Sequence, residues 1–309
     1  MTLGSMTPLT RRSLLTGLGV GALGMGLAAC GDRQDSDAAR NYDAFLLTES
    51  GERQEVRGTY SELAEALESI KTVSGASSLS LTVHRYENAE TFTYNPDYEG
   101  YEASTVKVPI ALSILRKAFD ENRLVDEQTR SLIDASLGLS DNDATAALFS
   151  SLGQDVAAQD AEVNATYDRL GITQTRCVDG WGNNKTNTLD HAKIARVLYE
   201  GVEWVGADDM NRVRAALTAT DLESQGWGVG ALVSLPGSTG SEHLAEKVLC
   251  KNGWITNDEG IWYVNSTGAA QYHGQTYALS VMTTGFTDQE KARQVTSSSV
   301  EKVMELLGG

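Results

Sequence analysis

The feature that most limits the fold is the order of segment types. β-type segments stand near both ends of the chain, with a long block of helical periodicity between them. Ser78 to His84 (SLSLTVH) alternates and is rich in β-formers, and Thr91 to Tyr94 fits as its hairpin partner. Leu244 to Lys251, Gly260 to Ser266 and Thr276 to Thr284 read as three further strands. Two strands at the start cannot cover their own apolar face. The simplest solution is one antiparallel five-stranded sheet drawn from both ends. It would be flanked by an N-terminal helix over Thr59–Ile70, with a capping-type start in which Glu62 follows Thr59, and a C-terminal helix over Asp288–Leu307. The intervening stretches Pro109–Phe119, Val125–Leu137, Asp143–Leu152, Glu162–Leu170, Thr188–Tyr199 and Asp208–Thr218 carry apolar residues at helical spacing. The fold class is therefore α+β with an inserted all-helical lobe. The α/β lobe spans about 44–118 and 231–308, and the helical lobe about 119–230. The cleft between lobes is the default place for a site.

Charge narrows the function. The 309 residues include 42 Asp+Glu against 25 Lys+Arg, a net charge of −17. Such a surface fits a soluble body and not a partner of DNA or RNA, whose phosphates require basic residues. His84, His191, His243 and His273 are scattered and make no metal-ligand spacing, and no Gly-rich nucleotide loop follows a strand. No cofactor or metal is expected, and the chain is expected to act as a monomer.

The first thirty residues read as an address. Arg11-Arg12 precedes a mild apolar run, Leu14 to Ala29, with no acidic residue in it or before it, which reads as a twin-arginine export signal. At about 16 residues the run is short for a membrane span. It ends in Leu27-Ala28-Ala29-Cys30, which resembles a bacterial lipoprotein cleavage box. The expected boundaries are a signal peptide over 1–29, a lipid-anchored tether over 30–43 with the lipid on Cys30, and one domain over 44–308. Several acyl chains on one terminus anchor stably, whereas one is marginal. The protein is thus expected on the extracytoplasmic face of a bacterial cell membrane. Export leaves Cys177 and Cys250 as a pair that can persist as a disulfide, or as two separate buried thiols.

Three short motifs fall at the seams of this architecture. Ser104-Thr105-Val106-Lys107 puts a hydroxyl and an amine on one helical turn. A serine is a weak nucleophile without an adjacent base, and a desolvated lysine can serve as one. Ser140-Asp141-Asn142 stands just before a helix, where such residues also act as caps. Lys251-Asn252-Gly253, followed by Trp254, ends a predicted strand. There Asn-Gly also fits a hairpin turn, while Lys251 supplies positive charge.

In this order the motifs resemble S-x-x-K, S-D-N and K-[ST]-G of the penicillin-recognising serine hydrolases, specifically the class A β-lactamase-like group. The resemblance covers roughly residues 44–308 and implies a β-lactamase/D,D-peptidase-like fold. It implies Ser104 as acylated nucleophile, Lys107 as proton acceptor and Ser140 as shuttle toward the leaving amine. Asn142 would contact a substrate amide. Lys251, Asn252, Gly253 and Trp254 would bind substrate, with the backbone N–H of Ser104 and of Trp254 forming an oxyanion hole. The substrate would be a β-lactam or a peptidoglycan-like peptide. The resemblance also brings the regions of Cys177 and Cys250 together.

Two departures qualify it. Asn252 replaces the usual Thr or Ser, and Leu170–Asp190 lacks the glutamate that activates the deacylating water in class A enzymes. Asp179 is the only carboxylate in the middle of that stretch and the only candidate deacylation base within it. Acylation with slow turnover of β-lactams is expected. The alternatives are a cell-wall D,D-peptidase-like enzyme, or a non-catalytic lipid-anchored binding or structural protein that keeps the motif residues as caps and turns.

Overall fold

A computed structural model describes residues 42–218, 225–234 and 248–308 of the chain. The leader, Cys30, His243, nearly all of the tether and the first part of the predicted strand Leu244–Lys251 lie outside the described residues.

Among the described residues the sheet has seven strands where five were expected, in the order β2-β1-β4-β3-β9-β8-β7, all antiparallel. The two additional strands are β1 (Ala44–Leu47) and β2 (Arg53–Glu55), short pieces that extend the edge beside β4 (Glu90–Tyr94). β3 (Ser78–Arg85) matches the expected strand. The C-terminal half of the sheet is β7 (Leu249–Thr256), β8 (Trp262–Tyr272) and β9 (Gln275–Phe286). β8 turns into β9 at His273-Gly274, both with positive φ (48° and 79°), which is the backbone a tight two-residue hairpin demands.

The first helix, α1 (Thr59–Ser74), begins after Gly58 without a side-chain cap, so Thr59 is its first residue and not its cap. Its buried Leu63 and Leu67 pack with Leu79, Leu81 and Val83 of β3 and with Val300 and Val303 of the last helix. Each such fully buried side chain contributes about 1.5–3 kcal/mol. That last helix is capped by Asp288, whose side chain accepts from Glu290 N at 2.9 Å.

A second core fills the inserted lobe. α2 (Lys107–Asp120) runs through its middle, with Ile110, Ala111 and Leu112 wholly buried. Around it stand α3 (Glu127–Gly138), α4 (Asn142–Ser151), α5 (Val156–Arg169), α6 (Thr188–Glu200) and α7 (Ala207–Leu217). α5 starts six residues earlier than its apolar spacing suggests, because Asp155 caps it by accepting from Ala158 N at 2.9 Å. A second, two-stranded sheet pairs β5 (Gly100–Tyr101) with β6 (Lys185–Thr186) and lies just ahead of Ser104.

The expected disulfide does not form. Cys177 and Cys250 are free, buried thiols. Cys177 belongs to the core of the helical lobe, and its Sγ lies 3.1 Å from both Asp160 Oδ1 and Gly180 O. Cys250 belongs to the core between sheet and outer helices, with its Sγ 3.7 Å from Gln225 O. The two thiols point into different cores. Burial pushes the Cys177 thiol up, and it pushes Cys250 up to about 12, which favours the protonated thiol over the reactive thiolate.

Candidate active site

Ser104 sits in a short 3-10 helix, Ala103–Val106, that runs directly into α2. It is the one residue between Glu102 and Ile110 that is not buried, so its side chain reaches toward solvent from an otherwise enclosed segment. Ala103 holds a left-handed backbone, φ 49°, a conformation that costs a non-glycine residue about 1 kcal/mol or more and survives only where its surroundings enforce it. Lys107, one turn on, is wholly buried, which a plain polar helix start would not require.

The lysine's charge is met by the second motif. Lys107 Nζ donates to Ser140 O at 2.5 Å, to Asn142 Oδ1 at 2.7 Å and to Ser140 Oγ at 3.1 Å. The capping role in this motif falls to Asp141, which accepts from Ala144 N at 2.8 Å. That leaves Ser140, in a left-handed conformation at φ 54°, and Asn142 free to face Lys107. The centre of a Trp181 indole ring lies 5.7 Å from Lys107 Nζ, within reach of a cation–π contact.

The third motif arrives from β7, the edge strand of the main sheet. Strand alternation sends Lys251 and Gly253 toward Ser104 and Ser140, and Asn252 and Trp254 to the opposite face. Lys251 is 1% exposed, and its Nζ donates to Ser140 Oγ at 3.0 Å and to Asn252 O at 3.0 Å. One hydroxyl is thus shared by two amines. Burial pulls Lys107 down to about 8. Burial, then the neighbouring charge of Lys107, pulls Lys251 down to about 7. Two ammonium groups beside one hydroxyl repel, so the pair gives up one proton near neutral pH.

Gly253 presses against the turn that carries Ser104. A Cβ there would lie 2.8 Å from Ser104 N and 2.9 Å from Thr105 N. Only glycine permits this approach. Asn252 does not face the cleft. Its Nδ2 donates to Gln225 O at 3.3 Å and Trp227 O at 3.2 Å, and its Oδ1 accepts from Ser266 Oγ at 2.7 Å. The side chain of Trp254 packs away from Ser104, edge-on to Trp227 at 6.0 Å and 4.8 Å from the Arg293 guanidinium. Gln225 and Ser266 were not visible as site-supporting residues in the sequence, because nothing in their spacing links them to Asn252.

Asp179 is exposed, with a left-handed backbone at φ 57°. It lines a surface pocket with Val156, Asp160 and Asn164 of α5 and with Val178. Among the described residues it makes no hydrogen bond or ion pair with Ser104, Lys107 or Ser140.

The family model described as the beta-lactamase enzyme family matches residues 62–130 and 127–305, a span that contains all three motifs. The chain belongs to the beta-lactamase enzyme family. Solved structures of similar fold include the extended-spectrum beta-lactamase TLA-3, at 18% identity and a TM-score of 0.68, covering 82% of this chain and 100% of that one. A beta-lactamase from Chitinophaga pinensis shares 15% identity with a TM-score of 0.66, covering 80% of this chain and 99% of that one. A class A beta-lactamase from Mycobacterium abscessus shares 17% identity with a TM-score of 0.62, covering 80% and 100%. No curated protein matches the chain by sequence. At these identities the structural likeness establishes the fold alone and leaves the chemistry to be argued from the site.

Proposed function

We propose that this beta-lactamase family member is an exported serine acyl hydrolase that forms an acyl-enzyme on Ser104 and releases it slowly. The observation that carries the reading is the Ser140 hydroxyl held between Lys107 Nζ at 3.1 Å and Lys251 Nζ at 3.0 Å, with Lys107 one helical turn along from a partly exposed Ser104.

In the first step Ser104 Oγ bonds to the carbonyl carbon while its proton passes to neutral Lys107 Nζ. The oxyanion forms beside the backbone N–H of Ser104, with that of Trp254 as the second donor. When the C–N bond breaks, Lys107 returns the proton through Ser140 Oγ to the leaving nitrogen. Lys251 Nζ, on the same hydroxyl, orients Ser140 and offers an N–H to the substrate carboxylate. The second step needs water and a base. Asp179, the carboxylate in the expected stretch, is exposed on the α5 side of its loop, which supports slow deacylation. The tied-up Asn252 amide removes one contact for a substrate carboxylate and favours weak recognition of penicillins. The substrate class is a β-lactam or a peptidoglycan-like peptide.

The Arg11-Arg12 pair and the Leu27–Cys30 box support export and lipid attachment at Cys30, which would hold the domain at the extracytoplasmic face of the membrane. Mass analysis of membrane-extracted protein should find a modified N-terminal Cys30. A soluble chain beginning elsewhere would refute the anchor. Gel labelling with a fluorescent penicillin should mark the wild type and not Ser104→Ala. A wild type that resists both penicillin and fluorophosphonate probes would shift the reading to a binding or structural protein on this scaffold.

A further inference from the structure

Glu102 stands two residues ahead of Ser104 and is wholly buried. Its carboxylate accepts from the Tyr167 hydroxyl of α5 at 2.6 Å and from Asn184 Nδ2 at 3.5 Å, and lies 3.2 Å from His191 Nε2 of α6. The backbone at the same point is tied as closely. Glu102 N donates to Asn184 O at 2.7 Å and Ala103 N to Gly182 O at 2.9 Å. Glu102 O accepts from Asn265 Nδ2 of β8 at 3.2 Å and from Thr105 Oγ1 at 2.5 Å. Among the described residues no lysine or arginine pairs with Glu102, and His191 is its one partner able to carry positive charge. The charged and titratable groups that act on Tyr167 are Glu102, Cys177 and Asp190, none of them cationic. Asp190 is occupied by the amides of Gln174 and Thr175 and by Lys193.

A buried carboxylate facing three donors is costly to retain where an apolar side chain would pack. Here it lies where the left-handed Ala103 must be enforced. We infer that Glu102 and His191 form a buried pair that positions Ser104, by clamping segment 182–184 against the turn ahead of it. Both are positioning residues: neither touches the reacting atoms. The carboxylate requires a donor at Nε2, so His191 carries its hydrogen there. Nδ1 then faces Thr267 Oγ1 at 3.3 Å, a hydroxyl that can donate to it. The clamp itself is independent of the proposed acylation. Only its kinetic consequence rests on that reading.

The test uses the mature full-length protein, wild type and with Glu102→Gln, Glu102→Ala or His191→Gln. Long-range 15N–1H spectra of wild-type His191 should show a hydrogen on Nε2. A neutral ring protonated at Nδ1 alone would overturn the pair. Hydrogen exchange at the Glu102 and Ala103 amides should accelerate by about 100-fold in Glu102→Ala, and less in Glu102→Gln, which keeps one acceptor. The Leu279 amide in β9 should change far less. Equal acceleration at all three amides would reduce the cluster to general stability and overturn the clamp. Acylation of Ser104 by a fluorophosphonate, counted per folded molecule, should slow by about 100-fold in Glu102→Ala with its pH midpoint unchanged. Part of the rate should return in Glu102→Gln. A wild-type rate in folded Glu102→Ala would overturn positioning. If wild-type Ser104 does not react, the acylation reading fails, and the spectra and exchange still decide the clamp. If Glu102→Ala does not fold, Glu102→Gln and His191→Gln carry the same comparisons.

Discussion

Replacing Gly253 by alanine tests how the sheet edge and the nucleophile turn are fitted together. The added Cβ would stand 2.8 Å from Ser104 N, 2.9 Å from Thr105 N and 3.3 Å from Ala103 Cβ. The first two are backbone atoms and cannot swing aside as a flexible side chain would. An ordinary contact starts near 3.4 Å, so β7 and the turn must separate by about 0.6 Å. Overpacking of this kind costs about 1–3 kcal/mol. The same shift moves the Ser104 N–H, the proposed oxyanion donor, and a displacement of this order or loss of one such donor lowers a rate by about 100-fold. We therefore expect Gly253→Ala to unfold at lower urea concentration and to acylate about 100-fold more slowly, read by intact mass against time. Gly206→Ala is the control. That glycine has φ −59° and nothing within 4 Å of an added Cβ, so acylation should be unchanged. Wild-type stability and acylation in Gly253→Ala would refute the close approach.

Acylation should rise about tenfold per pH unit below about 8 and level off above it, since Lys107 must be neutral to accept the Ser104 proton; a pH-independent rate between 6 and 9 would contradict that role. Lys251 binds its proton in the unfolded chain up to the usual lysine range near 10.5 but in the folded protein only below about 7. Between these values the unfolded state holds more protons, so this lysine makes stability increase with pH, by at most about 1.4 kcal/mol per unit. Urea titrations of Lys251→Met at pH 7 and 9 should show a smaller rise than the wild type. Ser140→Ala should slow acylation by about 100-fold or more while Ser104→Ala abolishes the adduct; equal adduct formation in Ser140→Ala would remove the shuttle. Cys177 and Cys250 should resist thiol reagents in the native protein and react fully in denaturant without reductant, and failure to react there would revive a disulfide.

Where local physics decides, the sequence was readable. The alternation of Ser78–His84 and the apolar stripe of α2 led to strand and helix as found, and the three motifs meet around Ser140. The misreadings came from contacts between distant residues. Ala44–Leu47 and Arg53–Glu55 are too short to show periodicity and become strands only by pairing with β4 and with each other. Asn252-Gly253 suited a hairpin turn, yet lies in mid-strand paired with Ser266 and Asn265. The real turn is at Asn257, whose Oδ1 accepts from Ile261 N at 2.9 Å. Cys177 and Cys250 are separated by which core each thiol enters, and Glu102 gained its partners from α5, α6 and the loop. No spacing rule encodes either.

The central claim is an acyl-enzyme on Ser104 that outlives its formation. Intact-mass spectra of the mature protein, taken from seconds to hours after mixing with a penicillin, test it most directly. The account predicts a single adduct of the penicillin's mass that accumulates to near stoichiometry, decays slowly, maps to Ser104 and is absent from Ser104→Ala. Rapid consumption of penicillin with no adduct accumulating, or an adduct on another residue, would contradict it.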